Sequence, residues 1–271
     1  MKPAFAPFRL LKSAALVAGL GLAAPAAFAQ AFDVVRLFGA APGEDGRSVG
    51  VTFVSAAEYQ GSDERRNMLL PSLMYQWANG WFAGTSNGIG YNFSKDPALD
   101  VGLRLTVDLG REESRSSALA GMGDVDIKPT YGGFLNYSFT REFALTSSLR
   151  YGSGNGGNGM VIDVGAAYST QLAPSWRTGL GVSASYVNAD YMQDYFGVTP
   201  GQSAASGYAA YSPGAGIRDV RASWSLTYLF TPRTVITGAI SGSALQGDAR
   251  DSPLTRRSTF LSGVVQVSYA F

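Results

Sequence analysis

The sequence predicts an all-β protein: a transmembrane antiparallel up-and-down β-barrel of about twelve strands, with ten as the alternative. Three observations predict it. Segments of roughly ten residues alternate apolar and polar side chains, and a period of two is the signature of a strand. Aromatic residues recur at the ends of those segments, as in the interfacial girdles of a barrel. The connections alternate between short and long, the rhythm of inner turns and outer loops.

The start of the chain fits export. Lys2, Arg9 and Lys12 precede an apolar run of small residues over 13–24, and Ala27-Phe28-Ala29 is a small-x-small cleavage site. Residues 1–29 are therefore expected to be a signal peptide and 30–271 the barrel domain, placed in a Gram-negative outer membrane. The run is too short to span a bilayer, and no other uninterrupted apolar segment approaches ~20 residues.

Composition excludes several chemistries. The chain has 21 basic and 20 acidic residues with no basic cluster, which argues against a nucleic-acid partner. It has 0 Cys and 0 His. Disulfides, thiolate or imidazole metal ligands and Ser-His or Cys-His nucleophile pairs are thereby removed. The only lysines after the signal, Lys95 and Lys128, sit in no Ser-Lys motif. No cofactor is expected, and an enzyme is the least favoured class.

The strands follow in order. Residues 66–93 hold 68–77 and then 80–93, which reads as one long strand or as two short ones around Ser86-Asn87-Gly88; the split gives twelve. In 100–110, Val101, Leu103, Leu105, Val107 and Leu109 oppose Arg104, Thr106 and Asp108. In 130–139, Tyr131, Leu135, Tyr137 and Phe139 oppose Thr130, Asn136 and Ser138. In 143–152, Leu145, Leu149 and Tyr151 oppose Thr146, Ser148 and Arg150. Ile162, Val164 and Tyr168 oppose Asp163; Trp176, Leu180, Val182 and Tyr186 oppose Arg177, Ser183 and Ser185. Val220, Trp224, Leu226, Tyr228 and Phe230 oppose Arg221, Ser223 and Ser225. Short connections at 140–142, 173–174 and 231–233 alternate with long ones at 112–128, 188–218 and 246–259.

The last segment sets Leu261, Val265, Val267, Tyr269 and Phe271 against Ser262, Gln266, Ser268 and Ala270. In a soluble protein this strand would be a sticky edge. A barrel closes it by pairing it with the first strand. Tyr269 and Phe271 resemble the carboxyl-terminal signal read by the bacterial barrel-assembly machinery.

Several groups are candidate functional residues. Arg104, Asp108, Arg150, Asp163, Arg177 and Arg221 share the polar, lumen-facing side. They would select a solute or gate a pore, or fill the lumen as an ion-paired network. Tyr191, Tyr195, Phe196, Tyr208 and Tyr211 lie on the longest loop, either as partner contacts or folded inward as a plug. Asp124 and Asp126 share a face, as a cation-binding pair or as a polar rim. The run Arg111-Glu112-Glu113-Ser114-Arg115 is a lipopolysaccharide contact or a solvated loop. The glycine-rich 152–159 precedes a strand and has no lysine near it, so it reads as a loop and not as a phosphate cradle.

Six stretches carry a family resemblance: Glu58-Tyr59-Gln60-Gly61-Ser62-Asp63, Gly88-Ile89-Gly90-Tyr91-Asn92, Gly121-Met122-Gly123-Asp124-Val125-Asp126, Asp190 through Val198, Gly214 through Val220, and Gly247 through Pro253. Together they resemble the MipA/OmpV family, the MltA-interacting outer-membrane proteins. The resemblance implies a Gram-negative outer-membrane barrel in contact with lipid and lipopolysaccharide, with no catalytic motif. It also implies a scaffold role, joining a lytic transglycosylase to a penicillin-binding protein. An outer-membrane pore or solute-binding barrel is the alternative, as is a surface antigen or adhesin.

Overall fold

The computed structural model describes residues 43–271. The expected signal peptide, with Ala27 and Ala29, lies outside the described residues, as does segment 30–42. Twelve antiparallel strands close into one barrel, each pairing with its neighbours in sequence. They are β1 (Gly46–Ala57), β2 (Arg65–Gln76), β3 (Trp81–Gly84), β4 (Gly88–Asn92), β5 (Leu99–Asp108) and β6 (Lys128–Ser138), then β7 (Phe143–Ser153), β8 (Gly159–Ala173), β9 (Trp176–Val187), β10 (Gly216–Leu229), β11 (Thr234–Leu245) and β12 (Thr259–Ala270). No helix among the described residues is long and apolar enough to cross a membrane, so any crossing is by strands.

The count is twelve because residues 80–93 fold into two short strands. The reversal needs Gly88, whose φ is +70° and whose position would drive a Cβ to 1.9 Å from the Leu105 carbonyl oxygen. Only glycine fits both constraints. Closure is made by β12 against β1, with Val267 opposite Val51 and Val265 opposite Phe53.

Alternation assigns the two faces of the wall. Leu103, Leu135, Leu180, Trp224, Ile240, Leu261 and Val267 are large, apolar and exposed. A continuous belt of this kind is far larger than a soluble monomer tolerates and is the lipid-facing band of a membrane barrel. Rings cluster at its lower margin: Tyr137 lies 4.8 Å from Phe139, and Trp176 lies 4.5 Å from Tyr228. These are the positions of an interfacial girdle.

The two ends differ. Connections 77–80, 93–98, 139–142, 174–175 and 230–233 are tight turns. Connections 109–127, 188–215 and 246–258 are long, and 58–64, 85–87 and 154–158 lie at the same end. By the usual sidedness the short-turn end is periplasmic and the long-loop end external. The long loops are folded, not loose. They hold α1 (Ala189–Phe196), α2 (Pro200–Ser206) and α3 (Gly247–Asp251), with single 3-10 turns at Glu113–Arg115 and Ser117–Leu119.

Candidate functional site

The outer mouth of the lumen is filled by α1. Asn188 caps it: its Oδ1 accepts from the Tyr191 amide at 3.1 Å and from the Met160 amide at 2.9 Å, tying the helix to the top of β8. Asp190 in the first turn favours the same end electrostatically. Tyr191, Met192, Tyr195 and Phe196 occupy one helical face and are all buried. They pack with Val125, Val161, Val187 and Leu245 from the barrel rim. The Tyr191 and Tyr195 rings stack 4.4 Å apart, as side chains four residues apart on a helix do. Burying each such side chain contributes at most about 1.5–3 kcal/mol.

Below the plug lies a charged layer. A bulge between Ile217 and Asp219, against β9, breaks the alternation of β10. Successive residues Arg218 and Asp219 are therefore both buried in the interior, Arg218 at 1% exposure. Asp219 accepts from Arg218 Nε at 2.6 Å and from Arg221 Nη2 at 3.0 Å. Arg218 Nη1 then donates to the Tyr191 hydroxyl at 2.9 Å, and Gln60 Nε2 donates to the same oxygen at 3.1 Å. A second cluster centres on Asp163. Arg150 Nη2 donates to one carboxylate oxygen at 2.7 Å and the Ser185 hydroxyl to the other at 2.7 Å. Arg104 reaches across β6 at Gly132 and donates to Ser148 Oγ at 2.7 Å. Arg221 Nε donates to Ser243 at 3.1 Å; at the opposite, short-turn end, Arg177 Nε donates to Ser169 at 3.0 Å.

The loops above are locked onto this layer. Arg111 Nη1 donates to the Tyr195 carbonyl at 2.8 Å, and Ser252 Oγ to the Phe196 carbonyl at 2.6 Å. Tyr59 donates to the Leu254 carbonyl at 3.0 Å. Burial, then the nearby Tyr208, pushes the Tyr59 phenol up from 10 to about 12. Burial likewise lowers the Arg111 guanidinium from its ordinary value and raises the Asp194 carboxyl.

The inner half of the lumen is filled differently. Thr52, Ser72, Thr237, Gln266 and Ser268 point inward and are buried, Thr52 and Ser72 at 0% exposure. The rings of Phe82 and Phe134 sit inside with centroids 5.8 Å apart. They lie over Gly90 and Gly102, where any Cβ would come within 2.4 and 2.5 Å of a ring carbon. Among the described residues the interior thus carries buried side chains at both ends of the barrel.

Residues 49–271 match the family model of MltA-interacting protein MipA. The chain belongs to the MipA family. No curated protein matches it. Among solved structures, the KdgM porin aligns at 10% identity over 83% of this chain and 99% of that one, with a TM-score of 0.45. The NanC porin aligns at 15% identity over 83% and 99%, with a TM-score of 0.44. An outer membrane channel from Pseudomonas putida F1 aligns at 13% identity over 83% and 96%, also at 0.44. Membership of the MipA family makes the protein an outer-membrane barrel, and the family is not an enzymatic one.

In this MipA-family barrel the predicted residues fall as follows. Arg104, Asp108, Arg150, Asp163, Arg177 and Arg221 all lie on the inward side. They do not form one cluster: Arg150 meets Asp163, whereas Arg104, Arg177 and Arg221 reach hydroxyls on neighbouring strands. Of the two readings of the long loop, the inward one applies to Tyr191, Tyr195 and Phe196. They were candidates for partner contact, and burial of an aromatic helix face under the neighbouring loops withdraws them from any partner. Tyr208 and Tyr211 are half-buried against Met122, Val198 and Leu254. The charge run is not uniformly solvated, because Arg111 is buried against the Tyr195 carbonyl of the plug while Glu112 pairs with Arg115. Asp124 accepts from the Glu113 amide at 2.6 Å, and the Asp126 amide donates to Asn155 at 2.9 Å, so the pair braces two loops. No group of three or more potential metal ligands occurs among the described residues. Tyr269 is exposed on the outer face of β12, and Phe271 is exposed just beyond that strand.

Sequence reading missed Arg218 and Asp219. Asp219 was legible, since it stands two residues before Arg221 on the same face. Arg218 was not, because alternation places it outward and only the bulge turns it in.

Proposed function

We propose that this barrel is a non-catalytic scaffold, working through its surfaces and not through its lumen. The observation that carries the reading is the packed interior: an ion-paired outer layer under a helical plug, then buried hydroxyls and two phenylalanines. A barrel whose lumen is filled in this way has its rims and its lipid-facing wall to act with. The MltA-interacting family name supports a lytic transglycosylase as one partner, and the resemblance of the sequence implies a penicillin-binding protein as the second. Both act on the periplasmic side, so the docking surface is the short-turn end, including 93–98 and 139–142, together with the segment preceding β1. Outer-membrane lipid and lipopolysaccharide surround the wall. The barrel-assembly machinery reads Tyr269 and Phe271.

Affinity capture with the folded, full-length mature barrel from envelope extract tests the reading. Recovery of a lytic transglycosylase or a penicillin-binding protein is expected, and exchanging the 93–98 and 139–142 turns for glycine-serine sequence should abolish it. Recovery of neither enzyme by barrel that still shows heat-modifiable migration overturns it. Planar-bilayer recording is expected to be silent; a steady conductance altered by Arg150→Ala would establish the pore reading instead.

A further inference from the structure

The barrel wall has one low sector. β3 and β4 span 4 and 5 residues, whereas every other strand has 10–15. β2 pairs with β1 over all 12 of its residues but with β3 only at Met74–Gln76. On the far side, β5 pairs with β6 along its full length but with β4 only at Gly102–Leu105. Above the hairpin tip, then, the upper part of β2 and the end of β5 face each other with no strand between them among the described residues. The hairpin hangs from the short-turn end, so the gap lies in the external half of the wall.

The sequence treats this edge as open. The Leu73 amide donates to Thr85 Oγ1 at 3.2 Å and its carbonyl accepts from the Thr85 amide at 3.0 Å, so Leu73 bonds toward the hairpin. Pro71, two residues along, turns the same edge outward, just where the hairpin has ended. Proline has no N–H to leave unsatisfied there, and within sheets it is confined to such edges. An unpaired edge within a bilayer is costly, so an opening kept there needs an occupant.

A cavity of about 250 Å³ lies on the β5 side of the gap, above the hairpin tip at 84–89. Outward-facing Ile89, Leu105 and Val107 line it, and so do inward-facing Arg104, Asp108 and Arg150. Residues of both faces of β5 therefore border one space. Its outer lip is apolar, with Ile89, Leu105 and Val107 exposed; across the gap, Leu69 of β2 is 71% exposed. Its inner wall is rich in donors: the Arg104 and Arg150 guanidiniums with the Tyr191 and Ser86 hydroxyls. Ser86 Oγ is buried without a hydrogen-bond partner. The one carboxylate in the lining, Asp108, already accepts from the Gly110 amide at 3.1 Å. Donors inside and hydrocarbon outside match a single molecule with an acceptor-rich head and an apolar tail.

We infer that the gap between β2 and β5 is a lateral portal for a single-chain amphiphile with an acidic head. The head sits at Arg104, Arg150 and Ser86, and the tail leaves between Leu69 and Val107 into the outer leaflet. Photo-crosslinking of the full mature barrel in phosphatidylcholine nanodiscs, with a diazirine-bearing dodecanoate, tests this. Label should concentrate on 65–73, 84–90 and 104–108, and unlabelled dodecanoate should compete it away, whereas acetate and dodecanol should not. Ser86→Trp, at the hairpin tip, should lower labelling about tenfold; Thr85→Trp serves if that variant loses heat-modifiable migration. Label spread evenly over the lipid-facing wall, labelling unchanged by either variant, or equal competition by dodecanol overturns the proposal. Equal competition by acetate also overturns it, since that would mark an aqueous anion site instead.

Discussion

The outer and inner halves of the lumen are both filled, but by opposite chemistries. The outer half uses buried charge, Arg218 and Arg221 on Asp219 and Arg150 on Asp163, and fastens it to a helix through the Tyr191 hydroxyl. The inner half uses small hydroxyls, one glutamine, two rings stacked over glycines and a single arginine, Arg177, held on a serine. Buried ion pairs add little net stability, because desolvation offsets attraction, but they penalise any arrangement that separates them. Buried hydroxyls penalise less. The outer layer therefore fixes where the plug sits, whereas the inner layer mainly occupies space.

Variants in each half sharpen that contrast. Arg218→Ala should have the largest effect: it strips Asp219 and Tyr191 of a buried partner and should cost about 3–5 kcal/mol in denaturant unfolding. The same variant should expose 188–215 to external protease. Tyr191→Phe keeps the ring but removes the oxygen that Arg218 and Gln60 reach; a loss of roughly 1–3 kcal/mol is expected, with protease sensitivity confined to the same loop. Ser72→Ala, in the inner half, removes the acceptor of Gln266 Nε2 at 2.9 Å and should cost about 1 kcal/mol without loosening the plug.

A pH series separates the loops from the barrel. The Tyr59 phenol is raised in the folded protein, so folding holds it neutral. Its contribution is fully present below 10 and is lost as pH rises through about 12. Hydrogen exchange at the Leu254 loop should therefore quicken over that interval, and Tyr59→Phe should flatten the dependence. The smallest effect belongs to Ser268→Ala on the inward face of β12, expected within about 0.5 kcal/mol of wild type. An effect of Ser268→Ala rivalling that of Arg218→Ala would erase the distinction between the halves.

Much of this molecule is written in its alternation. Leu103 against Arg104, Leu149 against Arg150 and Val164 against Asp163 divide lipid from lumen whatever the strands pair with, because successive side chains on an extended chain point to opposite faces. The helices inside the loops were less legible, although Asn188 before Tyr191 and Thr199-Pro200 with Gln202 are capping signals. The second is a full capping box with proline at its first position. Their short length let the loop reading prevail. The inward aromatics Phe82 and Phe134 were hidden because the glycines that make room for them lie on neighbouring strands.

By itself, the sequence determined a barrel wall, its two faces, its strand ends and its short and long connections. All of these depend on residues near one another in the chain. Only the tertiary structure decided which charges meet, that a bulge turns Arg218 inward, that α1 plugs the mouth and that the wall is low at β3 and β4. Each depends on register between strands, where a shift of one residue reverses every side chain. Register is set by pairing across the whole closed sheet, and no single segment carries it.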